Sequence, residues 1–244
     1  MSARFEELDW RSTPIGEISL RRRVEPQLGA EVFEAKLDDE FLMSSLFTAS
    51  EEALATLGLA RVADEARLDV LVGGLGLGYT AVAALRDPRV GTLVVVETLD
   101  AVIDWHRRRL LPVSEELMDD ARAHVVHGDF FALAAGEQLP GAHPRGSRYD
   151  AVLVDIDHTP RHVLDASHAT FYTSAGLSCL REQLEPGGVF GLWSDDPPDS
   201  AFLDLLTSVF PGAEAHVVDF ANPLTGGRSA CTVYCATAVG AAGR

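Results

Sequence analysis

The sequence predicts a doubly wound, mostly parallel α/β sheet with a small β-rich extension at its N-terminus. From residue 68 onward, short strands that are apolar on both faces alternate with amphipathic helices, as in a parallel sheet covered on both sides. The first of these strands runs straight into a glycine-rich turn, "LDVLVGGLGLGYTA" (68–81). Upstream, the pattern has period two instead, which marks half-buried strands. The expected division is a β-rich extension over 1–48 and an α/β domain over 49–244.

In the extension, "GEISLRRRVE" and "AEVFEAKL" alternate apolar and polar residues, with Pro26–Gly29 as the turn between them. "TASEEALATLGLARV" then has helical spacing, with Ser50 as the expected N-cap and Glu51 and Glu52 in the first turn. Four strand–helix units follow. "LDVLVGG" leads to a helix near 79–86, "GTLVVVE" to one near 99–110, "AHVVHGD" to a short one near 130–135, and "YDAVLVDID" to one near 168–184. "GGVFGLWS" precedes a helix near 199–209, and "AEAHVVDF" and "ACTVYCATA" close the chain with no helix between them. One of these two is expected to pair antiparallel. Residues 136–148, "GEQLPGAHPRGSR", form the one long irregular connection, expected on the surface.

The 244 residues are 47% hydrophobic, enough for a sizeable core, and carry 20 basic against 37 acidic residues, a formal charge of −17. Such a field repels phosphate backbones and anionic lipid, so neither nucleic acid nor a membrane surface is expected as a partner. A neutral or cationic small molecule suits it better. Cys179, Cys231 and Cys235 lack zinc spacing and read as small core residues in a reducing compartment. The charged opening "MSARFEELDW" and the absence of a long apolar run lead to the expectation of a cytoplasmic protein.

In doubly wound sheets, ligands sit beyond the carboxyl ends of the strands. Gly73, Gly74, Gly76 and Gly78 fall there, where glycine lets a ligand approach the main chain and the following helix N-terminus. The next strand ends in Glu97, about 20 residues past the glycines, the place of a carboxylate that grips a ribose diol. Thr98 follows it. The third strand ends in Gly128 and Asp129, the latter placed to accept a proton from an adenine amine. The fourth ends in Asp155 and Asp157. An acid capping a helix N-terminus explains any one of these, but not the set as readily. A dinucleotide needs G-x-G-x-x-G/A directly after the strand. From Gly74 the third position is Tyr79, and the frame Gly76, Gly78, Ala81 begins too late. A ring of carboxylates also suits a sulfonium better than a diphosphate, so S-adenosylmethionine, or its decarboxylated form, is the expected cofactor.

These motifs resemble the spermidine synthase-like branch of the class I methyltransferase superfamily, a Rossmann-like fold, over residues 13–195. "VGGLGLG" stands at its glycine-rich motif and "VVVETLD" at its ribose-binding acid, with Asp100 three residues on. "HGDFF" stands at its Gly-Asp pair, and "YDAVLVDID" at the strand before its catalytic aspartate. "DDEFLMSSLFTASEEALA" and "FYTSAGLSCLREQLEPGGVFGLWS" fit its first helix and its fifth strand. The resemblance implies transfer of a group from an S-adenosyl sulfonium, a polyamine-like acceptor and a possible homodimer. Spermidine synthases carry an acid within the glycine turn where this chain has Gly76. An intact methionine carboxylate is then not repelled, which favours methyl over aminopropyl transfer. A Tyr-Gln pair after "DEF" is replaced by Leu42, Met43, Ser44 and Ser45, and the Asp-Ser-Ser-Asp-Pro loop by "DIDHTP".

Transfer from a sulfonium is an in-line displacement, and an amine or hydroxyl acceptor must lose a proton. Asp155, Asp157 and His158 are the candidates for taking it; His158 reads equally as a loop-capping residue. His127 is expected to be a strand-end hydrogen bonder. The "DIDH" stretch with His162 bunches its ligands on one loop, so no metal site is expected. Trp10, Tyr79, Trp105, Tyr172 and Trp193 could wall a pocket or fill the core. Asp195 and Asp196 could line the acceptor site or be solvated turn acids. Arg21–Arg23 and Arg107–Arg109 read as solvated faces. The competing reading is a non-catalytic S-adenosyl-nucleoside-binding protein, which would have no open acceptor pocket near Asp155.

Overall fold

The computed structural model describes residues 5–63, 67–136, 139–140 and 148–238. Four antiparallel strands come first: β1 (Phe5–Thr13), β2 (Gly16–Glu25), β3 (Ala30–Leu37) and β4 (Glu40–Ser44), paired in sequence order. The period-two reading finds β2 and β3 but not β1, whose polar positions dominate and whose Phe5 and Trp10 are exposed. β1 is held along its edge by backbone pairing with β2 and by ion pairs such as Arg22–Glu6. Trp10 is exposed and is not among the residues lining the main cavity described below.

A seven-stranded sheet follows, built from β5 (Leu68–Gly73), β6 (Val90–Glu97), β7 (Ala123–His127), β8 (Tyr149–Val154), β9 (Leu184–Ser194), β10 (Glu214–Asn222) and β11 (Gly227–Thr237). Its order is β10-β11-β9-β8-β5-β6-β7. β5 through β9 are parallel, and β11 lies antiparallel between β9 and β10. The helices are α1 (Ala49–Ala60), α2 (Tyr79–Leu85), α3 (Asp100–Arg107), α4 (Ser114–Asp119), α5 (Phe130–Ala134), α6 (Ser174–Glu182) and α7 (Ser200–Val209). The chain steps outward from β5 to β7 and then returns to β8 on the other side of β5. That reversal opens a crevice at the strands' carboxyl ends.

The doubly apolar strands divide their side chains between two cores. Val70, Val72, Leu93, Val95 and Leu153 face α1 to α4, and Leu71, Val94, Val96, Val152 and Val154 face α5 to α7. Ile18, Leu20, Phe33 and Ala35 of the N-terminal sheet join the first of these cores, so the small sheet packs onto the α/β layer. The described helices include none long and apolar enough to cross a membrane.

Three local readings change. α1 starts at Ala49 after Thr48, so Ser50 is a buried first-turn residue and not the cap. The helix expected over 99–110 stops at Arg107 because Arg109 adopts a left-handed conformation (φ 57°), and α4 follows separately. The helix expected near 168–184 is a 3₁₀ turn, Ala166–Thr170, then α6 capped by Thr173. The connection at 136–148 falls mostly outside the described residues. Arg21 and Arg23 both pair with Glu34, while Arg108 reaches Asp9 and Arg109 reaches Asp119. Cys179, Cys231 and Cys235 are free thiols, the last two buried.

Candidate active site

A cavity of about 500 Å³ opens at the carboxyl edge of the seven-stranded sheet. Its lining follows the strand order: Asp129 after β7, Glu97 at the end of β6, the glycine turn after β5, Asp155 after β8, Asp195 after β9 and Cys231 on β11. Phe41, Leu42, Met43 and Ser44 of β4 form the opposite wall, so the small sheet closes over the crevice. Of the four residues standing for the Tyr-Gln pair, Leu42, Met43 and Ser44 are thus cavity wall. Among the described residues, no lysine or arginine lines the cavity.

The glycines have different reasons for being there. Gly74 has φ +92°, and a Cβ on it would lie 2.2 Å from the carbonyl oxygen of Asp155. Gly78 has φ +93°, and its Cβ would meet the His106 ring at 2.8 Å. A Cβ on Gly73 would strike the Phe130 ring. The close visitor at these positions is the protein itself. Gly76 alone faces room: its nearest obstacle is the flexible Met43 Sδ at 3.2 Å. Its carbonyl is fixed by His106, whose Nε2 lies 3.0 Å away while Nδ1 lies 3.2 Å from the Ser114 hydroxyl. Burial depresses the His106 pKa, so the ring is neutral; Nε2–H donates to Gly76 and Ser114 donates to Nδ1. No sequence signal pointed to His106, which sits on the buried face of α3.

Glu97 is buried, and its carboxylate gathers backbone N–H groups. Leu75 N donates to Oε2 at 2.9 Å and Leu99 N to Oε1 at 2.8 Å, with the amides of Gly76 and Thr98 adding to them. Burial nevertheless pushes its pKa up. Glu97 therefore shapes the glycine turn as well as facing the cavity. Thr98 is exposed at the rim, where its carbonyl accepts from His127 Nε2 at 3.0 Å. His127 is thus a strand-end hydrogen bonder. Asp129 caps α5 through Oδ1, which accepts from Phe131 N at 2.9 Å and Ala132 N at 3.2 Å. Gly128 lines the cavity beside it.

Asp155 and Asp157, two residues apart on one loop, point to different fates. Asp157 is 2% exposed and lies outside the cavity lining. It accepts from Leu164 N at 2.7 Å, binds His168 Nδ1 at 2.8 Å and accepts the Tyr172 hydroxyl at 2.8 Å. Buried outside the cavity lining and engaged in holding the segment after β8, it is removed from the candidate bases. Tyr172 is buried by the same contact, and Trp105 is core, donating Nε1 to Asp9 at 2.7 Å. Asp155 faces the cavity, its Oδ2 accepting from the Thr80 hydroxyl at 2.6 Å. Burial raises its pKa to about 6, against the opposing pull of that bond.

Glu51, which reads in the sequence as a first-turn helix acid, also lines the cavity. Burial and repulsion from Asp155 push it up to about 7, although the Ser50 hydroxyl donates to it at 2.7 Å. Tyr79, Trp193 and His158 complete this end of the wall. Trp193 Nε1 is buried and has no hydrogen-bond partner among the described residues. His158 Nε2 lies 3.2 Å from Glu40 Oε1, with His162 beside it. Asp195 lines the main cavity and accepts from Cys231, whose thiol burial pushes up to about 12. Asp196 belongs to a smaller side pocket with Glu40 and His162.

The same architecture recurs in solved structures. A spermidine synthase from Thermotoga maritima superposes with a TM-score of 0.70 at 18% identity, covering 95% of this chain and 72% of that one. A spermidine synthase bound to the transition-state analogue AdoDATO gives 0.72 at 18% identity, over 95% and 73%. The chain has the spermidine synthase fold. No family model matches it. Putrescine N-methyltransferase 2 of Nicotiana tabacum is 29% identical over 120 residues, 49% of this chain and 30% of that protein. Putrescine N-methyltransferase 1 of Nicotiana attenuata matches at the same identity over 49% and 28%. The chain matches only about 30% of the length of these curated relatives.

Proposed function

We propose that this protein transfers a group, methyl in preference to aminopropyl, from an S-adenosyl sulfonium to the amine of a small polyamine-like acceptor. The observation that carries this is one cavity holding both Glu97 and Asp129 on one side of the glycine turn and Asp155 on the other. We assign Glu97 to a ribose diol, and Asp129 to an adenine amine through the carboxylate oxygen that α5 does not use. A wall with carboxylates and no lysine or arginine favours a cationic donor and a cationic acceptor. The donor supplies an electrophilic carbon on a positively charged sulfur. The chain aligns the amine, excludes water and removes a proton. Asp155 is the carboxylate that receives the acceptor nitrogen. The names of the relatives, putrescine N-methyltransferases, agree with a diamine acceptor and with methyl transfer. The fold likeness to spermidine synthases over 95% of the chain keeps aminopropyl transfer as the second reading. An open cavity beside Asp155 speaks against a purely binding role.

Asp155→Asn keeps size and removes the charge that receives and aligns the acceptor nitrogen. With putrescine as acceptor and either donor, it should slow single-turnover transfer by roughly 10²–10⁴ and leave S-adenosylhomocysteine affinity nearly unchanged. A variant reacting at the wild-type rate would remove Asp155 from the chemistry.

A further inference from the structure

Glu51 has no part in the reading above, yet it is the most unusual carboxylate in the cavity. It enters from α1, which packs on α2, and shares the cavity with Asp155, the residue after β8. Thr80 of α2 stands between them: its hydroxyl oxygen is 2.6 Å from Asp155 Oδ2 and 3.3 Å from the main-chain carbonyl of Glu51. Ser50 anchors the Glu51 carboxylate from the other side. A helix acid serving only the dipole would point to solvent, where it costs nothing. This one is turned into a cavity against a like charge. Resting on the transferase reading, we propose that Glu51 is the second carboxylate of the acceptor site, clamping the reacting ammonium with Asp155 and carrying away its proton.

The roles divide by hydrogen bonding. The Thr80 hydroxyl favours the ionised form of Asp155, which stays the anion that holds the nitrogen in line. Burial and the negative charges of Asp155 and Glu52 make Glu51 the more basic of the two: an arriving ammonium displaces the proton it holds, and the freed carboxylate is then the acceptor. The step balances as follows. An ammonium, R–NH₃⁺, gives one proton to the Glu51 carboxylate and becomes R–NH₂. Its lone pair forms the new N–C bond as the C–S bond breaks and returns its electrons to sulfur, leaving a neutral thioether. The secondary ammonium product departs, and Glu51 releases its proton to water. The other groups facing Glu51 are Tyr79 on α2 and Cys231 on β11, with Asp195 beyond Cys231. Burial holds both Tyr79 and Cys231 in their neutral forms, so neither supplies the base.

The clamp has a signature that needs no turnover. A pair of repelling acids holds a proton near neutral pH, and an arriving ammonium expels it. Putrescine titrated calorimetrically at pH 7 into the 244-residue chain, with and without S-adenosylhomocysteine, in buffers of different ionisation enthalpy, reads that release directly. Wild type should release a proton fraction on binding. Glu51→Gln should lose the release and bind roughly 10- to 100-fold more weakly, the worth of one charge-assisted hydrogen bond. Glu51→Asp should recover part of both, and melting curves confirm that each variant is folded. Release and affinity unchanged in Glu51→Gln would overturn the proposal, as would a wild type that binds no diamine. Proton-linked binding without transfer from either donor would keep the clamp and sink the transferase reading instead.

Discussion

Glu51→Gln should make the protein more stable above neutral pH, and the structure fixes both the sign and the window. In the unfolded chain Glu51 titrates near its ordinary 4.5, whereas in the fold burial and Asp155 move it to about 7. Between those values the native state binds more protons than the unfolded state, so stability falls as pH rises. The protonated form carries no penalty below the unfolded value. Above the folded value the whole penalty is present, on the order of 3 kcal/mol at pH 8.5 and below about 1 kcal/mol at pH 5. Asp155, raised to about 6 by burial, shares part of the repulsion, so the two contributions are not additive. Glutamine keeps the shape, lets the amide oxygen accept from Ser50 and removes the charge. The expected gain is about 1–3 kcal/mol at pH 8.5, or roughly 2–10 °C in Tm for a chain of this size, shrinking towards zero at pH 5. Urea melts at the two pH values, with unchanged slope, provide the assay. A gain that is equal at both, or a loss at pH 8.5, would show that Glu51 is not a strained acid. Such destabilising groups are kept where function needs them.

Gly76→Asp separates the two donors. The φ of +49° strains any side chain, but aspartate enters this region more readily than most, and the nearest obstacle to its Cβ is a flexible methionine sulfur at 3.2 Å, so a folded variant of lowered Tm is expected. Calorimetry should then show S-adenosylmethionine weakened far more than its decarboxylated form; equal losses would remove the main support for methyl transfer. Glu97→Gln should lower S-adenosylhomocysteine affinity and also lower Tm, because four backbone donors converge on a charge that the amide lacks. Unchanged affinity in a folded variant would free Glu97 from the ribose role.

The layer architecture was legible because its signal is repeated. Five parallel strands carry apolar residues at both parities, and a doubly covered sheet is the arrangement that buries both. Even the antiparallel closing pair follows from two strands with no crossover between them. What escaped was local and lay where one residue overrides a pattern. Arg109 in a left-handed conformation splits one expected helix into α3 and α4, and the polar edge strand β1 carries no apolar rhythm to announce it.

The site divides along a different line. The residues expected at the strand ends, Glu97, Asp129 and Asp155, line the cavity where the sheet's geometry puts them, since a strand end has one address. Asp157 shows the limit of that logic: two residues further along the same loop, the side chain turns inward and binds His168 and Tyr172. Glu51 and His106 show the converse. Each lies on a helix whose pattern gives a good local reason for it, first-turn acid and apolar-face neighbour, and only tertiary packing, of α1 on α2 beside the cavity and of α3 on the glycine turn, shows further contacts. Local consistency hides function when the same residue satisfies both. A carboxylate that suits the helix dipole and still carries a raised pKa has been moved there by tertiary contacts, and that excess over the local explanation is the quantity the Glu51 variants measure.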